Sequence, residues 1–401
     1  MVSLCNCSFN QYRSTSHETH KLSSTPRLLT LDHQATTKNT ASTATTLLSP
    51  HSIKTKEDTH ANVFSSTLPV KKNPSNAYTK NDFSILKPLA KGQYGKVYIV
   101  QCLLDQQIYC MKIQSRRSLM EHGDRVNFEN ERNILAYQDP RLIGLFASFR
   151  DGDDFVLVME YACGGDLFSL LDRQPTLCLT EHQAQFYMAE MVLACQSLHQ
   201  LNYLHRDIKP QNILLDRNGH VKLADFGSSR SLSQCMETIQ STPVGTCDYI
   251  SPEILLSNQG NVTYGTEVDC WSLGICLYEM LQELPPFYSD KGENDTYRKI
   301  LFHQGSVSFN PRLPISDNAK DLINSLLTKP EHRLTLDQIK AHPFFDSIDW
   351  DHIFESTAPF LPAIKSLDDT SYFSIPFSEL PPSPCQSQPL TPPSSPPYFL
   401  K

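Results

Sequence analysis

The chain has 401 residues, with 35 Lys or Arg against 43 Asp or Glu, a formal net charge of -8. That balance argues against a protein whose main task is covering nucleic acid, which calls for a basic stripe, and no run of about 20 apolar residues is present to span a membrane. The opening "MVSLCNCSFNQYRSTSHETHKL" has no basic stretch leading into an apolar one, so no secretion signal is expected and the expected location is cytoplasmic.

Residues 1–80 are rich in Ser, Thr, Asn, His and Lys and have no sustained apolar period. Such a segment buries too little surface to offset the entropy of ordering, so disorder is expected there. Cys5 and Cys7 form a C-x-C with no second Cys/His pair at finger spacing, and no zinc site is expected. The 12 cysteines sit mostly in apolar runs such as "VLAC" and "LGIC", the pattern of buried free thiols in a reducing compartment. "NCS" and "NVT" match glycosylation sequons, but without a secretion signal they read as chance matches.

From about residue 81 to Phe345 the chain reads as globular, strands first and helices after. "FSILKPLAKGQYGKVYIVQCLL" and "QIYCMKIQS" read as strands joined by turns, "RVNFENERNIL" as helical, and "DFVLVMEY" as a further strand. "EHQAQFYMAEMVLACQSLHQL" repeats apolar residues at three and four, and "VDCWSLGICLYEMLQ" is apolar nearly all round, the mark of a buried helix. The end, "ELPPSPCQSQPLTPPSSPPYFLK", is rich in Pro and Ser and should be extended or disordered. No internal repeat is found.

Several residues in this core carry chemistry only when taken together. Gly92 and Gly95 sit in a turn between two strands, where glycine lets backbone N–H groups face phosphate oxygens; alone, this fits a plain hairpin turn better. No G-K-[ST] follows, so it is not a Walker loop. Lys112 lies in an apolar strand, where a snorkelling surface lysine is the ordinary reading; Glu131 in the following helical segment offers it a partner that would aim the ammonium at a nucleotide phosphate. "YLHRDIKPQNILLDRNGHVKLADFG" then supplies Asp207, Lys209, Asn212 and Asp225, the oxygen groups being of the kind that Mg²⁺ prefers. Any one of these could be a loop residue; the ordered set points to phosphoryl transfer.

The set "GQYGKV", "CMK", "NERNIL", "HRDIKPQN", "DFG", "SPE" and "DCWSLG" resembles the eukaryotic protein kinases in motif order, over about Phe83 to Phe345. Lys209 is the serine/threonine mark. "MEYACGGDLFSLL", "PVGTCDYISPEIL" and "HPFFDSIDWDHI" with "PFLPAIKSLDDTSYF" are similar to the AGC group, its myotonic-dystrophy-kinase branch, and the citron-type Rho-interacting kinases most of all.

The resemblance implies an α+β bilobal fold, with a small β-rich N-lobe (83–161) and a larger, mostly helical C-lobe (162–345), followed by an AGC-type extension (346–401). It implies ATP and Mg²⁺ as cofactors and Ser/Thr of protein substrates as acceptors. Asp207 would take the hydroxyl proton, Lys209 would neutralise the phosphoryl group, and Lys112 with Glu131 would grip the α/β-phosphates; Asn212 and Asp225 would hold the metal. Leu89, Ala90, Gly92, Gln93 and Gly95 match the loop over the phosphates. Val97, Cys110, Met159 and Leu214 match the adenine pocket, with Met159 as gatekeeper, Glu160 to Ala162 as hinge and Asp166 at its far end. Glu253 and Arg333 match a buried ion pair, Asp269 the carboxylate under the catalytic loop, Thr246 the bridge between Asp207 and Lys209, and Phe373 the tail residue that covers the nucleotide. Thr242 matches the activation-loop phosphosite, with Arg206 as its partner, though a plain loop threonine stays open.

The chain departs from the family at Ala90 for the first loop glycine, Cys110 for the alanine over adenine, and Cys247 for proline. None of these removes a catalytic group. Asp166, Gln211 and Glu279 match positions that bind arginines ahead of the phosphosite in basic-directed kinases; Gln211 stands where a glutamate is usual, which predicts a weakened preference for arginine three residues upstream. No F-x-x-[FY] motif closes the chain, so docking of its end on the upper lobe is not expected. Ser383-Pro384, Thr391-Pro392 and Ser395-Pro396 offer docking or proline-directed phosphorylation sites, with unstructured filler as the alternative. A catalytically silent scaffold is the competing function, and the completeness of Lys112, Asp207, Asn212 and Asp225 separates the two. Oligomeric state is not legible.

Overall fold

Strand propensity and turn residues put five strands at the start of the folded region: β1 (Phe83–Lys91), β2 (Gly95–Cys102), β3 (Ile108–Ser115), β4 (Leu145–Asp151) and β5 (Asp154–Glu160). The computed structural model describes residues 78–373, except the short stretches 92–94, 122–124, 236–244 and 258–262. The five strands form one antiparallel sheet in the order β1-β2-β3-β5-β4. Two helices, α1 (Arg116–Glu121) and α2 (Arg125–Leu135), run between β3 and β4. One face of the sheet buries Phe83, Val100, Cys102, Met111, Ala147, Val156 and Val158 among aromatic rings. Alternation along β3 sends Met111 to that face and Lys112 to the other.

The sequence reading assigned Tyr78 to Lys80 to the disordered segment, and here it needs correcting. The Tyr78 ring packs against Phe83 and Phe146 at centroid distances of 5.7 and 5.1 Å, so aromatic burial fixes the chain before β1 begins. The remainder of that segment, and the Pro/Ser-rich end of the tail, lie outside the described residues.

The C-lobe carries α3 (Leu167–Asp172), α4 (Glu181–Gln200), α5 (Leu232–Cys235), α6 (Pro252–Ser257), α7 (Glu267–Gln282), α8 (Glu293–Leu301), α9 (Asp317–Leu326) and α10 (Leu336–Lys340). Two small antiparallel ladders lie against them: β6 (Tyr203–Leu204) with β9 (Arg230–Ser231), and β7 (Ile213–Leu215) with β8 (Val221–Leu223). Thr180 starts α4 with a capping box, its side chain accepting from Gln183 N while Gln183 returns to the Thr180 backbone. Every residue of α7 from Val268 to Gln282 is buried, as its all-round apolar sequence predicts. Gly274 permits this, because a β-carbon there would sit 2.7 Å from Leu326 Cβ on α9.

Beyond Phe345 the chain runs back over the C-lobe and burial continues at Ile353 and Ala358. It crosses the β7–β8 turn at Gly219, whose φ of +83° suits glycine and whose absent β-carbon makes room for the Phe360 carbonyl. Gly219→Ala should therefore lift the tail off this turn and cost about 2 kcal/mol, from left-handed strain plus overpacking; denaturant unfolding and limited proteolysis of the tail would measure it. No helix among the described residues is long and apolar enough to cross a membrane.

Candidate active site

β3 pairs with β2 and β5 so that Lys112 stands opposite Val97 on one side and Leu157 on the other, in mid-sheet. From there its ammonium reaches Glu131 Oε1 on α2 at 2.5 Å and Asp225 Oδ1 at 3.2 Å. Burial alone would lower the Lys112 pKa, but Glu131 and Asp225 hold it above its ordinary value, so the group stays a cation. The second oxygen of Glu131 is buried and has no hydrogen-bond partner among the described residues.

The same strands carry the residues matched to the adenine pocket. Cys110 lies opposite Met159 in the ladder, and burial pushes its thiol up to about 12, so it serves as a neutral wall. Gly164 N donates to Leu215 O, Leu215 N to Gly165 O, both at 2.9 Å, and Asp166 bridges to Leu214. This brings the end of the hinge (Glu160–Ala162) beside Leu214. Leu89 and Ala90 lie on β1, Ala90 paired with Val97. A β-carbon on Gly95 would run into the Ile113 carbonyl, which explains that glycine by strand packing. Gly92 and Gln93 lie outside the described residues, as does Thr242.

Asp269 on α7 anchors the catalytic loop: its carboxylate accepts from the backbone N–H groups of His205 and Arg206, each at 2.9 Å, and pairs with His199 Nε2 at 2.8 Å. Burial would raise the Asp269 carboxyl, yet the hydrogen bond from His199 and the charges and N–H groups around it bring it below its ordinary value. Cys195, His199 and Asp269 place three ligand-type atoms within 4.8 Å of one another. With both Asp269 oxygens already accepting from backbone and ring, this is a network that holds the loop. Arg206 adopts a φ of +65° and is 4% exposed, its Nε donating to Ser228 O at 2.8 Å and its Nη1 to the Tyr264 hydroxyl at 3.0 Å.

Asp207 is the hub. Its Oδ1 accepts from Thr246 N and Thr246 Oγ1, both at 2.8 Å, and its Oδ2 from Lys209 Nζ at 2.7 Å and Asn212 Nδ2 at 3.2 Å. Lys209 also donates to Thr246 Oγ1 at 2.6 Å, and Asn212 Nδ2 to the Asp207 backbone oxygen at 2.8 Å. With its amide nitrogen taken up in this way, Asn212 is left with its carbonyl oxygen to offer. Asp225 is held left-handed, at φ +58°. Burial would raise its carboxyl, but Lys112 and Lys209 draw it below its ordinary value, so it is an anion. An amide oxygen and a carboxylate are hard donors, and the pair fits Mg²⁺.

Around this centre the matched structural groups find their partners. Arg333 donates two hydrogen bonds to the Glu253 carboxylate, at 2.7 and 3.2 Å, and lies over the Trp271 ring. Asp166 caps α3 by accepting from Ser169 N at 2.7 Å, and burial pushes its carboxyl up to about 6. Glu279 on α7 is 2% exposed, accepts from the Tyr249 hydroxyl at 2.6 Å, and is pushed up to about 8 by burial. Gln211 belongs to the turn Pro210–Asn212 that packs against α3, and its Oε1 is buried with no hydrogen-bond partner among the described residues.

The tail closes one side. The Tyr161 hydroxyl donates to the Asp369 carbonyl, and the Phe373 ring stacks on Tyr161 at 6.1 Å. Arg173 donates to Ser371 O at 2.7 Å and lies over Tyr372, while Asp368 pairs with Lys87 of β1 at 3.0 Å. The tail thus reaches the N-lobe through Asp368, well ahead of the chain's end. Sequence reading placed Tyr161 in the hinge without its bond to the tail and missed Arg173, His199 and Tyr264, because each meets a group far along the chain.

Residues 83–345 match the family model described as "Protein kinase domain". Human "Serine/threonine-protein kinase MRCK alpha" is 43% identical over 302 residues, 74% of this chain and 17% of that protein. "Serine/threonine-protein kinase Genghis Khan" of Drosophila melanogaster is 41% identical over 306 residues, 74% of this chain and 19% of its own length. For "Serine/threonine-protein kinase mrck-1" of Caenorhabditis elegans the figures are 42% over 315 residues, 77% and 20%. The chain spans no more than 20% of the length of these curated relatives.

Proposed function

The chain belongs to the protein kinase family, in the myotonic-dystrophy-kinase-related branch with the MRCK kinases, and from that premise we propose that it transfers the γ-phosphoryl group of ATP to Ser or Thr of protein substrates. The observation that carries this is the closed set of bonds joining Asp207, Lys209, Asn212 and Thr246, with the Lys112 cation pairing Glu131 and Asp225. A silent scaffold has no need of that set, and all four diagnostic groups are present and paired.

The roles carried over from the family resemblance are supported by this geometry. Asp207 orients the acceptor hydroxyl and takes its proton as the substrate oxygen bonds to the γ-phosphorus. The bond from that phosphorus to the bridging oxygen breaks, and ADP leaves. Lys209, already tied to Asp207, offsets charge on the group in transit. Lys112 would grip the α/β-phosphates; by the family's pattern Leu89, Ala90, Gly92, Gln93 and Gly95 would cover them, and Val97, Cys110, Met159 and Leu214 would enclose the adenine. Asn212 and Asp225 would hold Mg²⁺, which supplies charge neutralisation between phosphates. Labelled phosphate transfer from ATP to Ser/Thr peptides, with the Asp207→Asn chain as background, tests the reading; transfer no greater than background rejects it.

The substrate preference is basic. Among the described residues part-buried Asp166 and buried Glu279 form no ion pair, and the Gln211 oxygen, with no partner there, can accept one more hydrogen bond. A charge-assisted bond is roughly twice as strong as a neutral one, so Gln211→Glu should raise kcat/KM about fivefold for peptides with arginine three residues upstream over alanine there. An unchanged ratio in a peptide-pair assay would remove Gln211 from substrate recognition.

Arg206 keeps its cation for Thr242 once that residue is phosphorylated: among the described residues its guanidinium meets only neutral oxygens. The eight free cysteines among the described residues, all but Cys247 buried, fit a reducing cytoplasm. The Pro/Ser-rich end would serve as a docking segment for partners that read polyproline.

A further inference from the structure

One hydroxyl in the network has no part in the roles above. Tyr264 lies just ahead of α7, its ring half-buried against the C-lobe core and its oxygen accepting from Arg206 Nη1 at 3.0 Å. Arg206 is the residue next to Asp207, held left-handed and almost wholly buried. A guanidinium in that position needs acceptors on fixed elements, or its desolvation goes uncompensated. It has two: the Ser228 carbonyl, three residues past Asp225, and Tyr264. Its own backbone N–H is taken by Asp269, five residues past Tyr264. The segment 264–269 therefore grips Arg206 at both ends, main chain by carboxylate and side chain by phenol. Ser228 ties the same side chain to the turn that follows Asp225.

We propose that Tyr264 is a positioning residue of the phosphoryl-transfer site: its hydroxyl fixes the Arg206 guanidinium across the Ser228 carbonyl, and so holds Asp207 and Asp225 in register. The ring supplies packing that phenylalanine would supply equally well. Only the oxygen carries the positioning, and that separates this role from a structural one.

The inference rests on the kinase reading, and the test is a double-mutant cycle on the full chain with Tyr264→Phe, Arg206→Met and the two combined. Loss of one hydrogen bond to a charged donor predicts a fall in kcat of about 10-fold for Tyr264→Phe. KM for ATP should stay within about twofold, since the ground-state contacts to nucleotide are untouched. The combined variant should match Arg206→Met alone, because the hydroxyl acts only through the guanidinium. An unchanged kcat in Tyr264→Phe, or losses that multiply in the combined variant, overturns the assignment. So does a kcat that recovers fully on cooling in step with the folded fraction. An unmodified chain with no activity removes the kinase reading itself, a result distinct from any of these.

Discussion

Asp207→Asn should lower kcat about a thousandfold, the middle of the range for losing a general base, in a chain that still binds ADP. The asparagine oxygen can keep the bonds from Thr246, but its amide hydrogens would face the Lys209 ammonium, which now sits 2.7 Å from Oδ2. The proton acceptor is lost and Lys209 is pushed out of place together. The proposed nucleotide grip rests on other groups, Lys112 and the residues matched to the adenine pocket, so ADP affinity by calorimetry should change little. A kcat within tenfold of the unmodified chain would mean that another group takes the proton.

The second large effect concerns stability. Arg333 and Glu253 are 5% and 4% exposed, and their two-hydrogen-bond ion pair lies deep in the C-lobe. Arg333→Met leaves the Glu253 carboxylate buried without its cation, which costs about 3–5 kcal/mol. It also frees the Thr328 and Glu267 carbonyls, which accept from Arg333 at 2.7 and 2.8 Å. Replacing both partners, Arg333→Met with Glu253→Leu, should cost less than the single change, because no charge is then stranded. Denaturant unfolding of the three chains checks this; a single variant within 1 kcal/mol of the parent, an effect of about fivefold in the folding constant, would rule it out. Because Glu253 lies in α6, a few residues beyond Thr246 and the turn that follows it, activity should fall along with stability.

Much of this was legible beforehand, and the reason is local. A strand alternation fixes which way Lys112 points, and "HRDIKPQN" packs the hub within six residues of chain, so Asp207, Lys209 and Asn212 could be paired by eye. The all-round apolar "VDCWSLGICLYEMLQ" could only be a buried helix. What stayed hidden needed distance: His199 meets Asp269 across 70 positions and Tyr161 meets Asp369 across 208. Neither side chain carries a local signal, since a histidine near a helix end and a tyrosine at a strand end are both ordinary. The misplaced start of the folded region has the same cause. Tyr78 looks like part of a polar tail until the rings of Phe83 and Phe146 are brought to it by the sheet.

α7 can also be considered on the scale of time. A helix buried along its whole length opens only when the domain around it does, so its amides should be among the slowest to exchange with solvent. Asp269 hangs the catalytic loop from that helix, Glu279 sits further along it, and the Glu267 carbonyl at its first turn receives Arg333. Asp207 and Lys209 lie on a loop, but a loop pinned to a helix that should open slowly. Their lifetime in working order is then set by the rare opening of the C-lobe, and not by the faster fluctuations usual for surface turns.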